Sequence, residues 1–347
     1  MAYNPQITIT PTMVRNLELI AEAKGIIEKS PILPAVEKLL RRDARARSVH
    51  ASTHLEGNRL LPEQVEKVLA GESVKAFNKD LLEVKNYSRV LDFIEANYDK
   101  SEFRILEATV REMNRIILKG IEEGDVGGYR KGQVVVQNSK TKEIVFTPPP
   151  AHDVPILVRD LVDYLGHDKP LSPVLEAGIA HYELVRIHPF ADGNGRTSRS
   201  LAILVLYRRG YDIRRIFSVE DYADTHPEQY YGALRAADHE GSPTPFLEFF
   251  AEALAVELSK VKDRLLGVSL DRELRDRIGQ VYLNNRQWDC LAYIRQNGSI
   301  TIAEYLKLLK NEASVRSANR DLAFMAQKGI LIREGKGPST RYKLRNL

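Results

Sequence analysis

From Pro11 to about residue 100, apolar residues recur every third or fourth position, which predicts helices around 12–27, 34–56, 62–70 and 80–98. Gly57 is expected to end the second of these. A further helical pattern, Ala177 to Arg186, breaks at Pro189, and a new one opens at Gly195 and runs through Leu201, Leu204 and Val205. Pro245 to Leu266 reads as one long apolar helix. Two β-rich runs, Gln133–Gln137 and Ile144–Pro150, flank Asn138, Ser139 and Lys140 and read as a hairpin. The chain ends on another pattern: helix (Arg286 to Gln296), short strand and helix (Ile300 to Lys310), helix (Ser314 to Lys328), then strands Ile330 to Glu334 and Thr340 to Leu344. Gly335-Lys336-Gly337-Pro338 joins the two strands, and the whole is the outline of a winged helix. The expected fold class is mainly α. It comprises a helical region over 1–100, a helical core with a hairpin over 101–270, and an α+β winged helix over 282–347, with the charged stretch Asp271 to Arg277 as the boundary.

Composition narrows the picture little, because 347 residues with ordinary apolar and charged fractions suit two or three globular domains. Charge is more telling. Residues 283–347 carry twelve Lys and Arg against five Asp and Glu, whereas the whole chain is only +4. No apolar run approaches the roughly 18 residues of a membrane span, and the N-terminus lacks a secretory pattern, so a cytoplasmic protein without membrane contact is expected. Cys290 is the single cysteine, which excludes an intrachain disulfide. It falls in the apolar pattern Trp288, Leu291, Ile294 and is expected to be buried.

The densest chemistry lies in His188-Pro189-Phe190-Ala191-Asp192-Gly193-Asn194-Gly195-Arg196-Thr197-Ser198-Arg199, a loop between two helices. Asn194 is expected to cap the second helix, whose free N–H groups and positive dipole end form an anion site. Gly193 and Gly195 let phosphate oxygens come close to the backbone. Arg196 and Arg199 share a helix face and can converge on one phosphate chain, while Asp192 offers a hard oxygen ligand for Mg2+. A neutral His188 beside them can take a proton from a hydroxyl attacking phosphorus.

These residues match every fixed position of the signature HxFx(D/E)GNGRxxR, so the chain resembles the Fic (Fic/Doc) family. The resemblance implies a protein adenylyltransferase that moves AMP from ATP to a Ser, Thr or Tyr hydroxyl of a target protein, and of itself. It implies His188 as base, Asp192 as magnesium ligand, and Gly193, Asn194, Gly195, Arg196, Thr197, Ser198 and Arg199 as the nucleotide cradle. Gly128-Tyr129-Arg130 and the hairpin resemble the family's flap, with Val134, Val135, Val136 and Gln137 at the nucleotide and the target segment docked by strand addition. Tyr230 and Tyr231, before Leu234 and Asp238, resemble its base and ribose pocket. An aromatic pair on a helix equally suits a core, and Asp238 stands where several relatives carry Asn.

Ser52-Thr53-His54-Leu55-Glu56-Gly57 matches the family's inhibitory motif (S/T)xxxE(G/N), which implies that Glu56 pairs with Arg199 where a γ-phosphate would bind. The same carboxylate could orient water, making AMP removal an alternative activity. A homodimer stays open. In the winged helix, Arg316, Ser317, Asn319 and Arg320 are expected to face outward, Val315, Ala318 and Leu322 inward, with Lys336 and Arg341 on the wing. Such a face serves either DNA binding or protein docking.

Overall fold

The computed structural model describes residues 3–123, 125–137, 144–167, 170–269, 281, 283–309, 313–335, 337 and 340–345. They pack as two units, Met1–Gly25 with Ala44–Ser259, and Ile26–Asp43 with Lys260–Leu347. The helices are α1 (Pro11–Lys29), α2 (Pro34–His54), α3 (Pro62–Leu69), α4 (Asn78–Glu95), α5 (Glu107–Leu118), α6 (Val154–Gly166), α7 (Pro173–Ile187), α8 (Asn194–Arg208), α9 (Val219–Thr225), α10 (Pro227–Glu240) and α11 (Thr244–Ser269). No helix among the described residues is long and apolar enough to cross a membrane.

The first unit is organised around α7 and α8, which are buried on nearly every face: all of Val174–Leu184 on α7 and all of Arg196–Leu206 on α8. Helices α4 and α5 pack on α8, and α6 packs on α7. A side chain at Gly178 of α7 would collide with Leu247 of α11, so this glycine permits the close approach of the two helices. Such central helices must neutralise their polar residues internally. Glu176 does so with Arg209 (2.8 and 3.0 Å), Glu183 with Arg186 (2.6 and 2.9 Å), and His181 meets the Tyr230 hydroxyl at 3.0 Å.

The hairpin is shorter than its pattern predicts. β1 is Val136–Gln137 and β2 is Ile144–Phe146, antiparallel, with Val134 and Val135 in non-strand backbone before β1. Asn138, Ser139 and Lys140 lie outside the described residues, as do Asp271 to Arg277. Ile144 and Val145 are exposed, because nothing covers this two-stranded ladder on its outer face among the described residues.

In the second unit α12 (Asn285–Asn297), α13 (Ile302–Leu308) and α14 (Val315–Gln327) precede β3 (Leu331–Glu334) and β4 (Arg341–Leu344), which pair antiparallel. Ile300 bridges Tyr342 of β4 antiparallel, with bonds of 2.9 and 2.8 Å. Cys290, Leu291, Ile294, Tyr305, Leu322 and Met325 form the core. Val315, expected inward, is 58 % exposed, because it is the first residue of α14 and precedes the turn that packs. Lys336 lies outside the described residues.

The Glu176–Arg209 pair generates a stability prediction. Arg209→Ala leaves a 4 %-exposed carboxylate without its guanidinium and should cost about 3 kcal/mol in chemical denaturation, whereas a double exchange of both for Met should recover most of that loss.

Candidate active site

The loop between α7 and α8 is shaped by its own residues. Proline disfavours the right-handed helical conformation in the residue before it, and His188, before Pro189, leaves α7 in the left-handed region (φ 50°, ψ 59°). Its N–H still bonds Leu184 O at 3.0 Å, so the ring is carried on the last turn of a rigid helix. Asn194 does not cap α8. Its Oδ1 accepts from Phe190 N (2.9 Å) and its Nδ2 donates to Phe190 O (2.8 Å), clasping the loop shut, and the N-cap position falls to Gly193 (φ 77°). Thr197 and Ser198 bond back to the Gly193 and Asn194 carbonyls at 2.7 Å and face the interior rather than the site.

The two arginines are buried but differently held. Arg199, with its side chain 3 % exposed, donates from Nε to Ser52 Oγ (2.8 Å) and from Nη2 to Ser52 O (2.8 Å) and Glu56 Oε1 (2.7 Å). Arg196 donates from Nη1 to Glu83 Oε1 (3.1 Å), and its Nη2 stands 3.5 Å from Asp192 Oδ2. Its Nε has no hydrogen-bond partner among the described residues. Asp192 is 42 % exposed on its side chain and accepts from Gly193 N at 2.6 Å.

Glu56 is delivered to this site by the end of α2. Gly57 N bonds His54 O (2.8 Å) and Asn58 N bonds Thr53 O (3.1 Å), a Schellman turn with Gly57 left-handed at φ 91°. Asn58 then fastens the turn to α4 through Asp80 O (3.0 Å) and Glu83 Oε2 (2.8 Å), so Glu83 joins this turn to Arg196. A carboxylate is disfavoured at a helix C-terminus, yet Glu56 also lies over the N-terminus of α8: a Cβ on Gly195 would strike its Oε1. Burial pushes the Glu56 carboxyl up, but Arg199 and then Arg196 outweigh it and hold the pKa below the ordinary carboxylate range.

Burial is also the main influence on His188 and pushes its pKa below the ordinary imidazole value. The hydrogen bond to Val185 O and the Glu56 charge oppose that shift, and Arg130 adds to it. The ring Nδ1 is 3.3 Å from Val185 O, which assigns the proton to Nδ1 and leaves Nε2 able to accept one.

Three holding residues lie far from the motif in sequence; Arg130 falls in the segment that resembles the flap, and no spacing announces Asn114 or Glu83. Arg130, 6 % exposed, donates from Nε to His188 O (2.8 Å) and from Nη1 to Gly132 O (3.1 Å), and it also bonds Pro149 O, tying the histidine to both legs of the hairpin. Asn114 donates to Asp192 O (3.0 Å) and Thr197 Oγ1 (3.3 Å). Glu83 is the third. Of the hairpin positions Val134 to Gln137, none contacts the motif through a hydrogen bond to it among the described residues, though Gln133 ties the hairpin base to Pro148 O (2.8 Å). Tyr230 is 2 % exposed among His181, Phe246 and Phe249 and sits in the core. Tyr231 is 40 % exposed, and its hydroxyl donates to Leu55 O (3.2 Å), beside Glu56. Asp238 accepts from the Tyr182 hydroxyl (3.0 Å) at the edge of a cleft of about 450 Å³ that Phe146 of β2 also lines.

The Fic/DOC family model matches residues 104–206. Among curated proteins, the chain is 29 % identical over 247 residues to a protein adenylyltransferase Fic of Culex quinquefasciatus, covering 69 % of this chain and 46 % of the relative. It is 31 % identical over 217 residues to one of Drosophila virilis, covering 61 % and 41 %. The chain thus spans less than half the length of these relatives. Among solved structures, a Fic family protein from Desulfovibrio desulfuricans G20 aligns over 99 % of both chains at 27 % identity, with a TM-score of 0.67.

One consequence concerns the proton on His188. Because the Glu56 charge raises the His188 pKa, Glu56→Gln should lower it further below 6.5, a shift that NMR titration of the ring would read as a downward move relative to the wild-type chain.

Proposed function

We propose that this chain, whose residues 104–206 are a Fic/DOC family domain, is a protein adenylyltransferase that moves AMP from ATP to a protein hydroxyl and is restrained by Glu56. The observation carrying the proposal is the Glu56–Arg199 pair over Gly195, which puts a carboxylate where the helix N-terminus and a buried guanidinium together present an anion site. A γ-phosphate is the natural competitor for that place. The unpaired Nε of Arg196 and the backbone at Gly193 to Gly195 can serve phosphate oxygens nearer the reacting end.

The chemistry follows from positions. The target oxygen attacks the α-phosphorus, His188 Nε2 takes the hydroxyl proton as the new P–O bond forms, and diphosphate leaves with the electrons of the broken bond. Arg130 acts as a positioning residue through the His188 carbonyl. Magnesium suits the donor set: one half-exposed carboxylate, Asp192, with room for phosphate oxygens and waters, is the pattern of Mg2+ on nucleotides rather than of an all-protein cage. Bound there, the ion would neutralise charge on the leaving diphosphate. The cleft bounded by Phe146, Tyr182 and Asp238 has room for a nucleoside, and the exposed strands of the hairpin offer main-chain groups for a target segment. The Glu56 side chain remains 28 % exposed, so water can reach it, which supports removal of AMP from a modified protein as a second reaction of the same site.

With α-labelled ATP and Mg2+, Glu56→Gly should raise labelling of the chain itself and of added protein several-fold, and His188→Ala should abolish it. Equal labelling by wild type and Glu56→Gly would sink the restraint. Arg130→Ala should lower kcat at least tenfold with a smaller change in KM for ATP. The acid limb of kcat/KM should lie below pH 6.5 and lie lower still in Glu56→Gly, since the folded-state pKa of His188 is depressed and loses an upward contribution.

A further inference from the structure

We propose that the outward face of α14 is a duplex-DNA-binding surface. The second unit has the connectivity of a winged helix: α12, the Ile300 bridge, α13, α14, then the β3–β4 hairpin, with Ile300 joined to the outer side of β4 through Tyr342. In that arrangement the helix before the hairpin is the one that enters a major groove.

The chemistry of α14 suits that groove. Arg316, Asn319, Arg320 and Ala323 recur at helical spacing and are all exposed, so they form one row on the face opposite Ala318, Leu322 and Met325. The helix carries one acid, Asp321, and it is turned away: 2 % exposed, it accepts from Arg286 Nε (3.1 Å), Gln287 Nε2 (3.2 Å) and the Tyr305 hydroxyl (3.4 Å). The outward row therefore carries two cations, one amide and one methyl group, and no acid. Neither Arg316 nor Arg320 has an ion-pair partner among the described residues. Arg333 on β3 adds an exposed cation on the adjoining hairpin, whereas the neighbouring Lys343 is paired with Glu334 at 2.7 Å.

Charge complementarity selects the occupant. Arginine and asparagine match the acceptor and donor edges of guanine and adenine in the major groove, and a small apolar group such as Ala323 matches the thymine methyl. A helix of 13 residues is about 20 Å long, enough to lie in a groove about 12 Å wide. A protein-docking face would need a contiguous apolar centre. Here the large exposed apolar residues on these elements are Val315 on α14 and Ile332 on β3, one on each.

The test uses the full chain and a labelled random-sequence 30-base-pair duplex, read by fluorescence anisotropy at 50, 100 and 200 mM salt. Binding should weaken steeply with salt. Arg316→Ala with Arg320→Ala should weaken it at least tenfold at 100 mM and reduce the log–log salt slope by about 2, since each phosphate contact contributes about 0.9. Lys75→Ala with Lys79→Ala, an equal charge change on exposed residues of the first unit, should stay within twofold of wild type. His188→Ala should bind DNA as wild type does, which separates this surface from the transfer chemistry. The proposal is overturned by no binding at 50 mM salt, by equal losses in the two double variants, or by a chain dimer that the α14 exchanges dissolve while duplex goes unbound.

Discussion

A guanidinium that is 97 % removed from solvent must be given an anion, and Arg199 is the residue on which the first unit turns. Its side chain is 3 % exposed, and a buried cation without a partner carries a desolvation penalty of several kcal/mol. Ser52 supplies two neutral acceptors, which orient the guanidinium without cancelling its charge. Glu56 supplies the charge. On the proposed reading, any triphosphate that enters must offer Arg199 at least as much as the carboxylate does, so restraint and substrate binding would be two occupancies of a single electrostatic demand.

The same demand recurs along the two central helices and explains why their polar residues stand where they do. Helices α7 and α8 have almost no solvent face, so each ionised group there needs a partner nearby: Glu176 with Arg209, Glu183 with Arg186, Arg196 with Glu83. Arg196 is the incomplete case. Its Nη1 and Nη2 have carboxylates, one of them at 3.5 Å, while Nε has nothing. Asn16 Nδ2 and Arg215 Nε are likewise without a hydrogen-bond partner among the described residues, but of the three only Arg196 lies in the His188–Arg199 motif, where a ligand could meet the deficit.

Much of this was legible in the sequence, because the motif from His188 to Arg199 is local: a loop between two helices, two glycines and a basic helix face all lie within twelve residues. Periodicity likewise located α1 to α4, α11 and the terminal helices within a few residues of their ends. What periodicity could not give is the identity of partners brought together by tertiary packing. Glu83, Asn114 and Arg130 lie between 58 and 113 residues from the motif groups they hold; nothing in the local context of Glu83 and Asn114 distinguishes them from surface residues, and the flap resemblance that marked Arg130 gave no sign of its bond to His188. Asn194 shows a different failure. Its type suits an N-cap, but the left-handed Gly193 can begin the helix without a side-chain acceptor, which frees the asparagine to close the loop on Phe190. Tyr230 and Tyr231 are adjacent and chemically alike, and only the position of α10 against the core decides that one is interior and the other stands beside Leu55.

If Glu56 restrains the site as proposed, its place at the end of a helix bears on how easily it lets go. At the C-terminus of α2 the aligned carbonyls oppose a negative charge, so Glu56 is held in place by Arg199 and by the N-terminus of α8 rather than by its own helix. Its hydrogen bond to Arg199 stands beside two that the guanidinium gives to Ser52, one turn earlier, where α2 is buried. If the last turn shifts, Glu56 can leave while Ser52 keeps Nε and Nη2 aimed as before. On the proposed reading the arginine would then already be oriented for phosphate, and release of the restraint would require no rebuilding of the site. A carboxylate placed mid-helix, rigidly continuous with Ser52, would couple removal of the inhibitor to loss of the arginine's anchor. The Schellman turn at Gly57 ends the helix just beyond Glu56, and Asn58 tethers the chain after it to α4.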